Sequence, residues 1–141
     1  MDRVMIYTDG ACKGNPGPGG WATILECRGV EKVLSGGKPR TTNNHMELSA
    51  VIFGLKALNK PCIVEIVTDS KYVADSFNKG WFINWIKKND TKRPNYELWL
   101  EIYKLKDIHR ISMTWIKGHA GHIYNERCDE IAQREALRFI Q

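Results

Sequence analysis

The stretch Ile6–Ala22, IYTDGACKGNPGPGGWA, decides how this chain is read. It begins as an apolar run and stops at Asp9; the eleven residues from Gly10 to Gly20 then hold five glycines and two prolines. The upstream part, VMIYTDG, is apolar on both parities, the pattern of a strand buried on both faces. That reading puts Asp9 at the last position of a hydrophobic strand, beside a loop of little side-chain bulk. The loop has two readings. Asp9-Gly10 is a plain Asx turn, or the glycines clear room for a foreign backbone while the prolines pre-set the shape. A Walker-type phosphate loop is excluded, because no GxxxxGK[ST] occurs and a β-like stretch follows.

Working outward, GWATILECRG and VEKVLSGG are β-like runs separated at Arg28-Gly29. With the first strand they predict an antiparallel meander. In TTNNHMELSAVIFGLKALNK the period changes: Met46, Ala50, Phe53 and Ala57 recur at helical spacing, Asn44 is placed to cap the start, and Pro61 ends the helix. CIVEIVTDS is a second strand with little alternation, closing on a second Thr-Asp. A helix from about 70 to 78, a basic Trp-bearing segment from Lys79 to Pro94 and the amphipathic YELWLEIYKLKDI follow. RISMTWIKGH alternates as a strand, and a last helix runs from about 125 to 139. The order βββαβα(α)αβα calls for a mixed sheet covered by helices, an α/β architecture. No linker or repeat divides the chain, so residues 1–141 are expected to form one domain.

No apolar run approaches the roughly 18–20 residues of a membrane span, and MDRVMIYTDG reads as a strand and not a signal peptide. Cys12, Cys27, Cys62 and Cys128 form no close pair, which favours reduced thiols in a cytosolic protein over a disulfide framework. A net charge of +5 makes a polyanionic partner plausible.

Four carboxylates carry the chemistry. Asp9 and Asp69 end hydrophobic strands, Glu47 opens the helix after the meander, and Asp129 opens the last helix. Singly, each has a structural explanation: an Asx turn at Asp9, a helix cap at Asp69, a capping box of Asn44 with Glu47, and a helix-dipole partner at Asp129. If the first and fourth strands are neighbours, however, Asp9 and Asp69 lie within a few ångströms. Two such charges ~4 Å apart repel by about 4 kcal/mol at an effective dielectric of 20. Protons or cations must then compensate. An all-oxygen donor set without His or Cys suits Mg²⁺ or Mn²⁺, and two ions would serve an in-line phosphoryl displacement.

The blocks YTDGACKGNPGPGG, TTNNHMEL, VTDSKYV, NKGWFINW and WIKGHAGHIYNERCDE, in this order and across nearly the whole chain, resemble type 1 ribonuclease H. The resemblance implies a ribonuclease H-like fold: a five-stranded mixed sheet, three antiparallel strands then parallel ones, with helices on both faces. It implies a monomeric, cytoplasmic endonuclease that hydrolyses the RNA strand of RNA–DNA hybrids with two Mg²⁺ ions, Mn²⁺ substituting, and leaves 5′-phosphate and 3′-hydroxyl ends. Asp9, Glu47, Asp69 and Asp129 match the metal-site positions, and His119 a position that handles the attacking water or product release. For the substrate, Asn15, Asn43 and Asn44, with the backbone from Gly10 through Cys12 to Lys13, match contacts to 2′-hydroxyls, the feature that tells RNA from DNA. Arg40, Thr42 and Asn95 match a DNA-phosphate site. Trp81 and Trp85, four apart, would line a groove for deoxyribose. Lys87 and Lys88 would contact phosphates, as would Lys71, which stands where others have a neutral polar residue. The segment from Trp85 to NYELW is shorter than the basic handle of many relatives, so handle contacts are reduced. A hybrid-binding module without strong catalysis is the alternative.

Overall fold

A computed structural model describes residues 1–118 and 121–140. The elements are β1 (Asp2–Cys12), β2 (Gly17–Cys27), β3 (Val30–Thr41), α1 (Asn43–Lys56), β4 (Cys62–Thr68), α2 (Lys71–Asn78), α3 (Trp81–Lys87), α4 (Tyr96–Leu105), β5 (Arg110–Trp115) and α5 (Ile123–Leu137). The strands form one sheet in the order β3-β2-β1-β4-β5. β1, β2 and β3 are the antiparallel meander, whereas β1–β4 and β4–β5 pair in parallel. The five-stranded mixed sheet is therefore as the resemblance implies, and the condition that the first and fourth strands be neighbours is met.

The glycine-proline stretch differs from its sequence reading. Only residues 13–16 form the turn; Gly17 to Gly20 already belong to β2, and β1 runs on past Asp9 to Cys12. Gly10 pairs with Trp21, and Ala11 with Gly20. Glycine is required there by close packing of the chain on itself. A Cβ on Gly19 would lie 2.9 Å from Cγ of Met46 in α1, and one on Gly20 would strike the Ala132 carbonyl of α5. Neighbouring strand residues point to opposite faces, so α1 and α5 cover opposite faces of the sheet.

α1 is buried on almost every side, from Met46 through Ile52 and again at Gly54 and Leu55. Phe53 departs from the expected core stripe: it is 48% exposed and stacks on Trp21, ring centroids 4.6 Å apart. The main core joins Ile6, Leu48, Val51, Leu55, Val64 and Ile66 to Phe82, Trp99 and Ile102 of the helical layer. Trp99 is fully buried, and its Nε1 donates to the Tyr72 hydroxyl at 2.9 Å, tying α4 to α2. Trp99→Ala should cost about 3–5 kcal/mol, readable as a lowered urea midpoint. All four cysteines are free thiols, and no helix among the described residues is long and apolar enough to cross a membrane.

Candidate active site

The parallel ladder of β1 with β4 pairs Tyr7 with Val67. Two residues further on, β1 presents Asp9 and the chain just past the end of β4 presents Asp69. Asp9 is 3% exposed, and the Gly10 N–H donates to its Oδ1 at 2.9 Å. No turn accompanies that contact, since β1 continues, so the Asx-turn reading of Asp9 fails. Glu47 also is not part of a cap: Thr42 caps α1, its Oγ1 accepting from the His45 N–H at 3.2 Å, and Asn44 has no such role. Glu47 lies one turn inside the helix, and buried. Ser70, not Asp69, caps α2, accepting from the Val73 N–H at 3.1 Å. Asp129 is in the second turn of α5 and not at its start, beyond the first-turn reach of a helix dipole.

Freed from these structural duties, the carboxylates converge. One oxygen from each of Asp9, Glu47 and Asp69 can be chosen so that all lie within 4.8 Å of one another. Asp129 stands outside that set but lines the same pocket, about 360 Å³, with Gly10, Cys12, Asn43, Ser70 and Gln133. Burial, then the Asp69 charge, pushes Asp9 up to about 8. Burial, reinforced by Asp9 and then Asp69, holds Glu47 well above the ordinary carboxylate range. Glu47 Oε1 is buried and accepts no hydrogen bond among the described residues. An orphaned buried carboxylate oxygen beside two further carboxyls fits a hard divalent cation, which would supply the missing charge and ligation. Sequence reasoning missed Gln133, although it follows Asp129 by one helical turn. Gly118 was missed too: a Cβ there would sit 2.9 Å from Asp69 Oδ2.

A second cleft, about 260 Å³, opens between α1, α2 and α3. It brings together Asn44, Trp81, Trp85 and Asn95 with Tyr72, Ser76 and Arg93. Trp81 is 43% exposed there. Trp85 is half-buried, edge-on to Trp99 at 5.8 Å, with the Arg93 guanidinium 4.4 Å above its ring. Trp85 thus serves packing and the cleft wall at once. The first turn of α1 divides the two clefts, Asn43 facing the carboxylates and Asn44 the tryptophans. Asn15 Oδ1 accepts from the Asn43 N–H at 3.0 Å. Cys12 Sγ contacts the Thr41 carbonyl at 3.3 Å. Arg40, Lys87 and Lys88 are exposed outside both clefts, and Lys71 Nζ lies 5.6 Å over the Trp115 ring. His119 lies outside the described residues.

Fold and pocket together define a helix-covered mixed-sheet protein with an acidic, cation-seeking centre at the carboxyl end of its middle strands. A family model, RNase H, matches residues 1–137. Ribonuclease H of Campylobacter concisus is 51% identical over 138 residues, covering 98% of this chain and 95% of that protein. Ribonuclease H of Erythrobacter litoralis is 51% identical over 141 residues, covering 96% and 97%. Among solved structures, LC9-RNase H1, described as a type 1 RNase H with the type 2 active-site motif, matches with a TM-score of 0.87 at 28% identity, over 99% of this chain and 74% of that one. The chain belongs to the RNase H family, and with it to the phosphodiester hydrolases.

Proposed function

We propose that this chain, as one ribonuclease H domain over residues 1–141, hydrolyses the RNA strand of RNA–DNA hybrids, leaving 5′-phosphate and 3′-hydroxyl ends. The observation that carries this reading is the gathering of Asp9, Glu47 and Asp69 within 4.8 Å, with one Glu47 oxygen buried and unpartnered. Asp9, Glu47, Asp69 and Asp129 would hold two Mg²⁺ ions, for which Mn²⁺ would substitute. When bound, these ions supply the positive charge that stabilises the attacking and leaving oxygens of an in-line displacement. The protein's own part is positioning. The β1–β4 ladder and the buried α1 set three carboxylates, and Asp129 closes the pocket from α5. His119, which follows Gly118 in the chain, would carry a proton between the pocket and solvent, the kind of exchange to which an imidazole is suited.

For the substrate, Asn15, Asn43 and the backbone from Gly10 to Cys12 would read the RNA minor groove beside the carboxylates, with Asn44 on the ridge. Arg40, Thr42 and Asn95 would hold a phosphate of the DNA strand. Trp81 and Trp85 would accept its deoxyribose, with Lys71, Lys87 and Lys88 adding phosphate contacts that weaken with salt. We further assign a monomer acting in the cytoplasm.

The test is cleavage of an end-labelled hybrid with Mg²⁺, with EDTA, and with Asp69→Asn. Cutting is expected only with wild-type protein in Mg²⁺, with duplex DNA untouched. Cutting that survives EDTA, or products bearing 2′,3′-cyclic phosphates, would overturn the metal reading. Tight hybrid binding without cutting under any condition would leave a binding module in its place.

A further inference from the structure

Asp9 is fixed by its pairing with Ala22 across the meander, Asp69 follows directly on the end of β4, and Glu47 is held by a helix buried on almost all sides. Asp129 lies in no strand; it rides on α5, whose neighbouring Cys128 is fully buried with its Sγ on the Tyr7 carbonyl at 3.4 Å. α5 lies on one face of the meander, presenting the small side chains of Ala132 and Ala136 to the sheet. His122, at the N-cap, provides no side-chain capping bond. Beyond the buried packing of Asn125 and Cys128, β3 adds a polar tie to the first turns of α5. Arg127 donates to both oxygens of Glu31 on β3, at 3.2 and 3.0 Å. The Tyr124 hydroxyl donates to Glu31 Oε1 at 3.0 Å. The Tyr124 ring in turn lies flat on Tyr7 of β1, centroids 4.1 Å apart and planes 8° from parallel. Arg127 and Tyr124 are three apart and so share a helical face. Their hydrogen bonds hold the Glu31 carboxyl below its ordinary range, the Arg127 contact being the larger cause.

We propose that Glu31 is a positioning residue: by clamping Tyr124 and Arg127 from β3, it fixes the rotation of α5 and so the stance of Asp129 toward the three gathered carboxylates. The inference rests on the reading above that Asp129 contributes to the cation site. Bidentate geometry suits the task, because a planar guanidinium held at both nitrogens resists rotation about a single bond. The ion pair lies at the surface, the Glu31 and Arg127 side chains being 34% and 40% exposed, whereas the Tyr124 ring is half-buried against Tyr7. The pair is therefore a poor contributor to global stability, which lets a positional role be separated from a structural one.

The experiment measures Mg²⁺ binding to the metal-free full chain by titration calorimetry, without substrate, alongside kcat, KM for hybrid and the thermal midpoint in EDTA. The variants are Glu31→Ala, Arg127→Ala, both together, Tyr124→Phe, the charge-exchanged pair Glu31→Arg with Arg127→Glu, and Asp129→Asn as reference. Glu31→Ala and Arg127→Ala are each expected to weaken Mg²⁺ binding about 10-fold, the scale of lost supporting contacts around a metal site. The double variant should add little, as members of one unit do. Tyr124→Phe should give a smaller loss in the same direction, and the exchanged pair should recover much of it. kcat should fall with KM for hybrid unchanged and the EDTA midpoint nearly so. If Glu31→Ala leaves Mg²⁺ affinity intact while Asp129→Asn weakens it, the clamp is refuted and the site reading stands. If Asp129→Asn also leaves it intact, both fall. A large drop in midpoint with unaltered Mg²⁺ affinity would show Glu31 to be structural only.

Discussion

Asp9→Asn is expected to lower kcat on hybrid by about 10³-fold or more, since loss of a ligand in the proposed cation site should cost more than loss of the supporting contacts around one. The same substitution should raise the thermal midpoint of the metal-free protein. Asp9 gives up its proton near 3.8 in an unfolded chain but only near 8 in the fold. Between those values the folded state holds a proton that the unfolded state has released. Stability from this source is therefore present at the acid end and is lost as pH rises through the folded value. Asparagine is neutral throughout and escapes the loss. Melts in EDTA should show the wild-type midpoint falling from pH 5 to pH 9 relative to Asp9→Asn. Mg²⁺ should restore the wild type, more at pH 9 than at pH 5. Parallel curves for the two proteins would mean that burial does not hold Asp9 in its protonated form.

Gly10→Val should damage the fold and the site together. A Cβ at Gly10 would lie 2.5 Å from the Glu47 nitrogen and 2.7 Å from the Met46 carbonyl carbon. Both are backbone atoms of α1, so no rotamer change relieves the clash, and α1 must recede. Overpacking of this kind costs about 1–3 kcal/mol, and the receding turn carries Glu47 with it. A lowered urea midpoint and weaker Mg²⁺ binding should appear in the same variant. Lost stability with wild-type Mg²⁺ affinity would show that α1 can withdraw without moving its carboxylate.

The two buried strands were legible because each is apolar on both parities and leads into Thr-Asp, which made a meeting of Asp9 with Asp69 conditional on their adjacency. The five-stranded arrangement of the mixed sheet was carried by the family resemblance. Helix starts were less legible. In Thr42-Asn43-Asn44 three adjacent residues are all good caps, and local preference does not choose among them; the run of β3 through Thr41 does, by leaving Thr42 as the hinge. The placement of Asp129 was misjudged for a related reason. α5 starts at Ile123, two residues earlier than the turn-rich text before it suggested, which moves Asp129 further into the helix. The purpose of the glycines was the largest miss. Strand-forming Gly17 to Gly20 look like a loop to any local rule, because the reason for them, helices pressed onto both faces, is non-local. Phe53 shows the converse limit: helical spacing predicts a face but not whether a neighbour reaches it.

The ridge made by Asn43 and Asn44 has a geometric corollary. Two valleys run on either side of it, one acidic and one aromatic, and a single flexible filament can lie along only one at a time. A paired ligand bound as proposed above would straddle the crest and touch both slopes at once. Discrimination against lone strands would then come from this saddle and not from any group that recognises pairing itself.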